Sequence, residues 1–317
     1  MEEIGAKEIT KTKSINVKIR ILADFQEHKS RITQIKWNPI KNSFASASYD
    51  KTIIIWNVDK KKKYAHLKGH QGRVLSLAWR RDGKLLASGD EFGRVIIWSF
   101  EKKKKLFVLE GHKNAINSLV WSLDGKKLYS GGRDRKLIVW NLDKEMREEK
   151  RIEFPEEVTA IDVSPDIIAV AHSVVVELID PNTLLRKYSF TVDKPIKSIK
   201  ISPDGKLIAV GSKGGTLTIY DRLNGTKKVA RKHASDISSI SWSSDGKYIL
   251  TVGMDSRMIV WDAESLEALK IERMKDWITA GDWNSIRGIA AIGLWNKNCL
   301  LYTSDAADEL DGVDLGG

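Results

Sequence analysis

Short runs rich in Val, Ile and Leu alternate with polar positions along most of the chain and are broken at short intervals by turn residues. This is the pattern of consecutive antiparallel hairpins rather than of helices. Three segments make it explicit: ITQIKWNPIKNSFASASYDKTIIIW at 32–56, VLSLAWRRDGKLLASGDEFGRVIIW at 74–98 and INSLVWSLDGKKLYSGGRDRKLIVW at 116–140. Their closing residues Trp56, Trp98 and Trp140 stand 42 residues apart, as do Trp37, Trp79 and Trp121, so no insertion separates these units. Asp82-Gly83 and Asp124-Gly125 mark turns within them. The pattern continues as VTAIDVSPDIIAVAHSVVVELID, IKSIKISPDGKLIAVGSKGGTLTIYD, ISSISWSSDGKYILTVGMDSRMIVWD and ITAGDWNSIRGIAAIGLWNKN, which makes seven units of about 41 residues.

Each unit predicts a small sheet, and a single small sheet cannot cover its own two apolar faces. Sheets stacked face to face around an axis can, so the expected fold is all-β: a seven-bladed β-propeller of four-stranded antiparallel blades. Residues 15–22, INVKIRIL, alternate like a strand yet precede the first unit. They are expected to supply the outermost strand of the last blade and to tie the ends of the ring together. The expected organisation is a flexible N-terminus at 1–14, the propeller over 15–302 and an acidic tail at 303–317.

These units resemble the WD40, or β-transducin-like, family, over roughly 15–298. The resemblance rests on coupled positions, because that family joins a His, a Ser or Thr, an Asp and a Trp of one blade in a hydrogen-bonded tetrad. The third unit has all four as His112, Ser130, Asp134 and Trp140; the first has His28, Ser46, Asp50 and Trp56, and the sixth His233, Thr251, Asp255 and Trp261. The second has His70, Ser88 and Trp98, but Phe92 stands at the Asp position and Asp90 comes two residues early, so packing is expected to hold that turn. The fourth and fifth units lack the His and the Trp, with Ile179 and Tyr220 at the Trp position, and are expected to be looser or shaped by a partner. His, Ser and Asp also make hydrolase triads, but sets that recur in several blades, each with a Trp, read as structural: a buried carboxylate needs donors, and imidazole, hydroxyl and indole supply them.

After Asn298 the chain reads CLLYTSDAADELDGVDLGG, with five acidic residues and no basic one. Residues 299–309 match the translation of a transposase-type sequencing adapter. On that reading the native sequence stops inside the third strand of the seventh blade, any further domain is lost, and Cys299 is foreign. The alternative is an ordinary acidic terminus.

Composition adds little chemistry. The formal charge is +11, but Lys and Arg are spread over the whole chain. The first residues contain no apolar run and no stretch is long enough to span a membrane, so the protein is expected to be intracellular, cytoplasmic or nuclear. One cysteine and six scattered histidines give no metal-ligand spacing, and the Gly-rich run 211–215 is followed by no helix. No catalytic residue, metal or cofactor is expected.

Two surfaces remain. Lys60, Lys61, Lys62, Lys63, Lys102, Lys103, Lys104 and Lys105 sit between the third and fourth strands of adjacent blades, with Lys227 and Lys228 in the comparable place of the fifth, a candidate basic patch for nucleic acid or anionic lipid. On the opposite face, the resemblance points to Tyr49, Glu91, Arg133 and Met254 just before the tetrad Asp, and to Arg31, Arg73, Asp236 and Trp277 near strand starts. Arg and exposed aromatics suit contact hot spots. The leading expectation is therefore a non-catalytic scaffold or adaptor that binds other proteins. GMDSRMIVW and the units before it are also similar to part of the second propeller of actin-interacting WD proteins, which makes an actin-turnover factor an alternative.

Overall fold

Alternation along the third strand of each unit decides which neighbour a side chain faces. In Thr52–Asn57 the residues Ile53, Ile54, Ile55 and Trp56 are all buried. Ile53 and Ile55 pack with Val74, Leu77 and Leu86 of the next unit, whereas Ile54 and Trp56 pack with Ala280, Ala291 and Leu301 of the unit that closes the ring. In Arg94–Ser99, Val95 and Ile97 likewise face forward and Ile96 and Trp98 face back. A strand dry on both faces must be apolar throughout, and β-branched residues fit that pleated surface.

The computed structural model describes residues 19–144, 147–284 and 286–304. They form seven four-stranded antiparallel sheets with one short 3-10 turn, Leu142–Lys144. Blade 1 comprises Ile32–Trp37, Ser43–Ser48, Thr52–Asn57 and Lys62–Lys68 in order from the axis outward. Blades 2 to 6 repeat it, starting at Val74–Trp79, Ile116–Trp121, Val158–Val163, Ile196–Ile201 and Ile237–Trp242. Blade 7 takes Ile278–Asn284, Ile289–Leu294 and Cys299–Ser304, and Ile19–Phe25 from the start of the chain completes it. The innermost strands touch in sequence around the axis, and that of blade 7 returns to that of blade 1.

Among the described residues the closing strand runs Ile19–Phe25, three residues past the expected end at 22. It pairs with Cys299–Ser304 from Arg20 opposite Thr303 to Phe25 opposite Cys299. Its anchor is Phe25, buried with its ring centroid 5.6 Å from that of Phe44 and 4.7 Å from that of Trp56, a contact the alternation of INVKIRIL does not include. Residues 1–14, 15–18 and 305–317 lie outside the described residues. The adapter-like stretch begins at the first residue of the third strand, not within it, and Thr303 belongs to the strand rather than to a tail. Cys299 is buried in this blade, and burial pushes its thiol up to about 12, which leaves it inert.

Between the apolar faces, four polar chains fix the blade interiors. In blade 1, Trp56 Nε1 donates to Ser46 Oγ at 2.8 Å, and His28 links Ser46 at 2.8 Å through Nε2 to Asp50 at 2.8 Å through Nδ1. With the proton on Nδ1, every donor in the chain meets an acceptor. Blades 3 and 6 repeat the geometry with His112–Asp134 at 2.8 Å and His233–Asp255 at 2.9 Å, closed by Trp140 on Ser130 and Trp261 on Thr251.

Blade 2 corrects the expectation of a turn held by packing. Asp90 Oδ2 stands 2.8 Å from His70 Nδ1, His70 Nε2 lies 2.6 Å from Ser88 Oγ, and Trp98 Nε1 donates to Ser88 at 2.7 Å. Asp90 Oδ1 accepts the backbone N–H groups of Phe92 and Arg94 at 3.0 Å each, so it also caps the turn. Blade 3 explains the displacement. A Cβ placed on Gly132, the residue equivalent to Asp90, would stand 2.8 Å from both Asp134 Oδ1 and His112 Nδ1. A side chain two residues earlier thus points into the same space, and a carboxylate reaches the His from either position. Phe92, relieved of the role, is 61% exposed.

Blades 4 and 5 are four-stranded without a tetrad. Ile179 is fully buried at the Trp position of blade 4, and Tyr220 in blade 5 stacks on Phe190 with centroids 3.8 Å apart. Apolar contact replaces the hydrogen-bonded chain.

Removing the Asp90 carboxylate leaves His70 and two backbone donors unpaired, so Asp90→Ala is expected to cost about 3 kcal/mol at about 1–3 kcal/mol per unsatisfied buried group. Phe92→Ala is expected to change stability by no more than about 0.5 kcal/mol. Urea unfolding followed by tryptophan fluorescence separates the two, and the reverse order would restore the packing account.

Burial opposes ionisation of Asp50, Asp90, Asp134 and Asp255, but the hydrogen bonds from His and backbone outweigh it and hold all four carboxyls below their usual range. A depressed folded pKa contributes stability that is complete above the unfolded value of about 3.9 and is lost as pH falls through the folded value. The melting temperature is therefore expected to drop below about pH 4, and the gap between the parent chain and Asp134→Asn to narrow there. Parallel melting curves for the two across that range would remove this carboxylate from the account.

Candidate interaction surface

The turns after each second strand and the segments before each first strand meet at one rim of the ring. Their backbones are tied in a repeated way: Tyr49 N–H donates to Arg31 O at 3.1 Å, Glu91 to Arg73 at 3.0 Å and Trp295 to Trp277 at 3.0 Å. This brings side chains of blades 7, 1 and 2 into a continuous stack. The Trp277 and Trp295 rings meet edge to face at 5.5 Å. The Arg31 guanidinium lies 4.1 Å from the Trp295 centroid and 3.8 Å from that of Tyr49, to which it also donates a hydrogen bond. Arg73 lies 4.6 Å from the same Tyr49 ring and 3.6 Å from Glu91, whose other oxygen accepts the Arg73 N–H at 2.8 Å. Cations over aromatic faces are attracted by the ring quadrupole, so the stack is held before any partner arrives.

Trp277 and Trp295 remain 51% and 40% exposed, and Phe92 lies against Gly72 beside Arg73. Beside the stack opens a cleft of about 450 Å³ lined by Lys29, Ser30, Arg31, Tyr49, Arg73, Trp295, Asn296 and Lys297.

Five of the expected rim residues, Arg31, Tyr49, Arg73, Glu91 and Trp277, are thus gathered in one place. Arg133 and Met254 instead line the mouth of the axial channel, a space of about 210 Å³ that Arg31 and Tyr49 also reach. Asp236 is occupied in holding its own surroundings: it accepts the Gly214 N–H at 3.0 Å and pairs with Lys197 at 3.4 Å. Sequence reasoning missed Trp295, Lys29, Lys297 and Phe92. A signal for Trp295 existed, since it follows its second strand as Tyr49, Glu91, Arg133 and Met254 follow theirs.

With this geometry in place, the comparisons with known proteins are informative. The profile described as "WD domain, G-beta repeat" matches residues 19–57, 61–99, 103–141, 183–221 and 226–262, more than half of the chain. The chain belongs to the WD40 family. The first three matches begin at, or one residue before, the outermost strand of one blade and run through three strands of the next, so the WD40 repeat interlocks neighbouring blades.

Among relatives, Protein HIR1 of Candida albicans is 35% identical over 92 residues, 24% of this chain and 10% of that protein. The human F-box-like/WD repeat-containing protein TBL1Y is 32% identical over 76 residues, 24% of this chain and 15% of its own length. Human Echinoderm microtubule-associated protein-like 2 is 26% identical over 113 residues, 33% of this chain and 17% of its own. The matches cover less than a fifth of each of these relatives.

At the other end of the WD40 axis lies a channel of about 510 Å³. Its wall is stitched by indoles: Trp79 Nε1 donates to Lys36 O at 3.0 Å, Trp121 to Ala78 O, Trp242 to Lys200 O and Trp37 to Asp282 O, each at 3.1 Å. Blades 4 and 5 carry Val163 and Ile201 at the corresponding position, and there Asp162 Oδ2 accepts the Ile201 N–H at 2.8 Å while its Oδ1 binds Lys200 at 2.7 Å. Asp282 joins three blades by accepting from Trp37 N–H at 2.9 Å and Ser241 Oγ at 3.0 Å. Burial, only partly offset by Asp282, pushes the Lys36 amine down. Burial also works against the Lys200 ammonium, but Asp162 outweighs it and the net shift is upward.

The lysine runs lie on this second face. Lys60 to Lys63 and Lys102 to Lys105 are exposed on adjacent blades, and Lys62, Lys63, Lys104 and Lys105 open the outer strands rather than standing in the turns. Lys63 pairs with Glu27, and Lys103 lies 4.0 Å from the Tyr64 ring. Lys227 and Lys228 are not brought to them: blade 5 is across the ring, and their amines bond the Thr191 and Glu264 carbonyls at 2.7 and 2.6 Å. Among the described residues no His, Cys, Asp and Glu group is arranged to hold a metal, and no helix is long and apolar enough to cross a membrane.

Asp162→Ala removes both the Lys200 partner and the Ile201 acceptor. Because a third of the Lys200 side chain is exposed, the expected cost is about 2 kcal/mol, below the 3–5 kcal/mol of a fully dry pair. Chemical denaturation measures it, and a neutral substitution would show that the indole stitches alone hold blades 4 and 5 together.

Proposed function

We propose that this chain is a non-catalytic platform that holds another protein on the rim formed by blades 7, 1 and 2, inside the cell. The observation that carries the reading is the Trp277, Trp295, Arg31, Tyr49, Arg73 and Glu91 stack, which offers exposed aromatic and guanidinium surface already fixed in place. Binding then orders little of the platform, and Trp, Tyr and Arg are the residues that most often dominate contact energy. The His, Ser and Asp sets support a structural rather than a hydrolytic role. Ser46, Ser88, Ser130 and Thr251 are fully buried, and the hydroxyl of each is already shared by an imidazole and an indole. No partner transfers from the relatives, whose names point in different directions, one to microtubules and another to an F-box-like module.

Affinity capture from the source cells compares the chain with a variant carrying Arg31→Ala, Tyr49→Ala, Arg133→Ala and Trp277→Ala. At least one specifically bound protein is expected to be lost, with the melting temperature changed by only a few degrees at about 2–4 °C per kcal/mol. Retention of every bound protein would show that the chosen rim is wrong.

A further inference from the structure

We propose that the cleft beside this stack takes an acidic peptide segment, with a side-chain carboxylate seated on the in-plane N–H groups of Arg31. The inference rests on the platform reading of this rim and names the chemistry of its partner.

Charge is the first argument. Four cationic side chains, Lys29, Arg31, Arg73 and Lys297, line the cleft, and no carboxylate does. Arg73 already has an acid of its own in Glu91, 3.6 Å away, whereas Arg31 has no carboxylate partner among the described residues. The two guanidiniums therefore differ in what they still lack.

Geometry is the second. Tyr49 and Trp295 approach the Arg31 guanidinium at 3.8 and 4.1 Å and one of its NH2 groups donates to the Tyr49 hydroxyl, so its unspent binding capacity is the rest of its edge, whose N–H donors match the oxygens of a carboxylate. Being stacked, it gives up little rotamer freedom on binding. The same stacking argues against a nucleic acid strand. Base recognition needs free aromatic faces, and the two rings that line the cleft already carry guanidinium groups. Beyond the exposed part of Trp295, the apolar surface at hand is that of Trp277 on one side and of Phe92 on the other, at 51% and 61%. It suits Leu-like or aromatic side chains flanking the acid.

The test measures fluorescence anisotropy of the whole chain with three labelled probes: a short blocked peptide alternating Glu with Leu and Gly, its Gln counterpart, and an oligothymidylate of the same net charge. The Glu peptide is expected to bind at least about tenfold more tightly than the Gln peptide and the oligothymidylate, and to weaken with added salt. Arg31→Lys keeps the charge but not the planar fork, and with Arg31→Ala it is expected to lose about tenfold or more, while Lys103→Ala on the opposite face leaves binding unchanged. Equal binding of Glu and Gln peptides, full binding by folded Arg31→Lys, or tighter binding of the oligothymidylate would each overturn the proposal. The two readings fail separately: the platform reading falls if the four-residue variant keeps every captured protein. If captured proteins are lost from the four-residue variant but the Glu peptide cannot displace them from the parent chain, the rim stands and its acidic partner does not.

Discussion

The antiparallel pairing of Ile19–Phe25 with Cys299–Ser304 is the constraint on which the ring depends, because it joins residues nearly a whole chain apart and gives blade 7 its fourth, outermost strand. Each blade covers its apolar faces only through its neighbours, so an open ring would expose two of them at once. Phe25 carries the closure into the core, since it packs on Phe44 and Trp56 of blade 1 while its own strand belongs to blade 7. The rim stack straddles the same junction: Trp277 and Trp295 come from blade 7, and Arg31 and Tyr49 from blade 1. The candidate surface therefore exists only when the ring is shut.

Within the blades, two kinds of glue do the same task. Four blades use a buried carboxylate, imidazole, hydroxyl and indole in series, which pays the desolvation of each polar group by pairing it. Blades 4 and 5 use apolar contact through Ile179 and Tyr220 instead. A comparable exchange occurs around the axis, where four indoles stitch neighbouring inner strands and Asp162 takes over between blades 4 and 5. The requirement is that buried backbone and side-chain polar groups find partners, and the chain meets it with different residues in different blades.

Much of this was legible in the chain. The period of alternation, the repeated Trp spacing and the turn dipeptides determined the number of blades, their antiparallel strands and the family, because blade-on-blade burial imposes the same apolar pattern on every unit. The set of His, Ser or Thr, Asp and Trp was readable in three units because the spacing within a strand and its turn is local. Tertiary structure alone decided the rest. Asp90 completes a tetrad because two positions on one turn aim into one space. The closing strand is set by where Phe25 finds a core, and Lys227 and Lys228 stand apart from the two lysine runs because blade 5 lies across the ring from blades 1 and 2. The Arg31 stack joins three blades whose residues are far apart in sequence. Periodicity reports which face a side chain takes; only closure of the ring decides which other side chain meets it there.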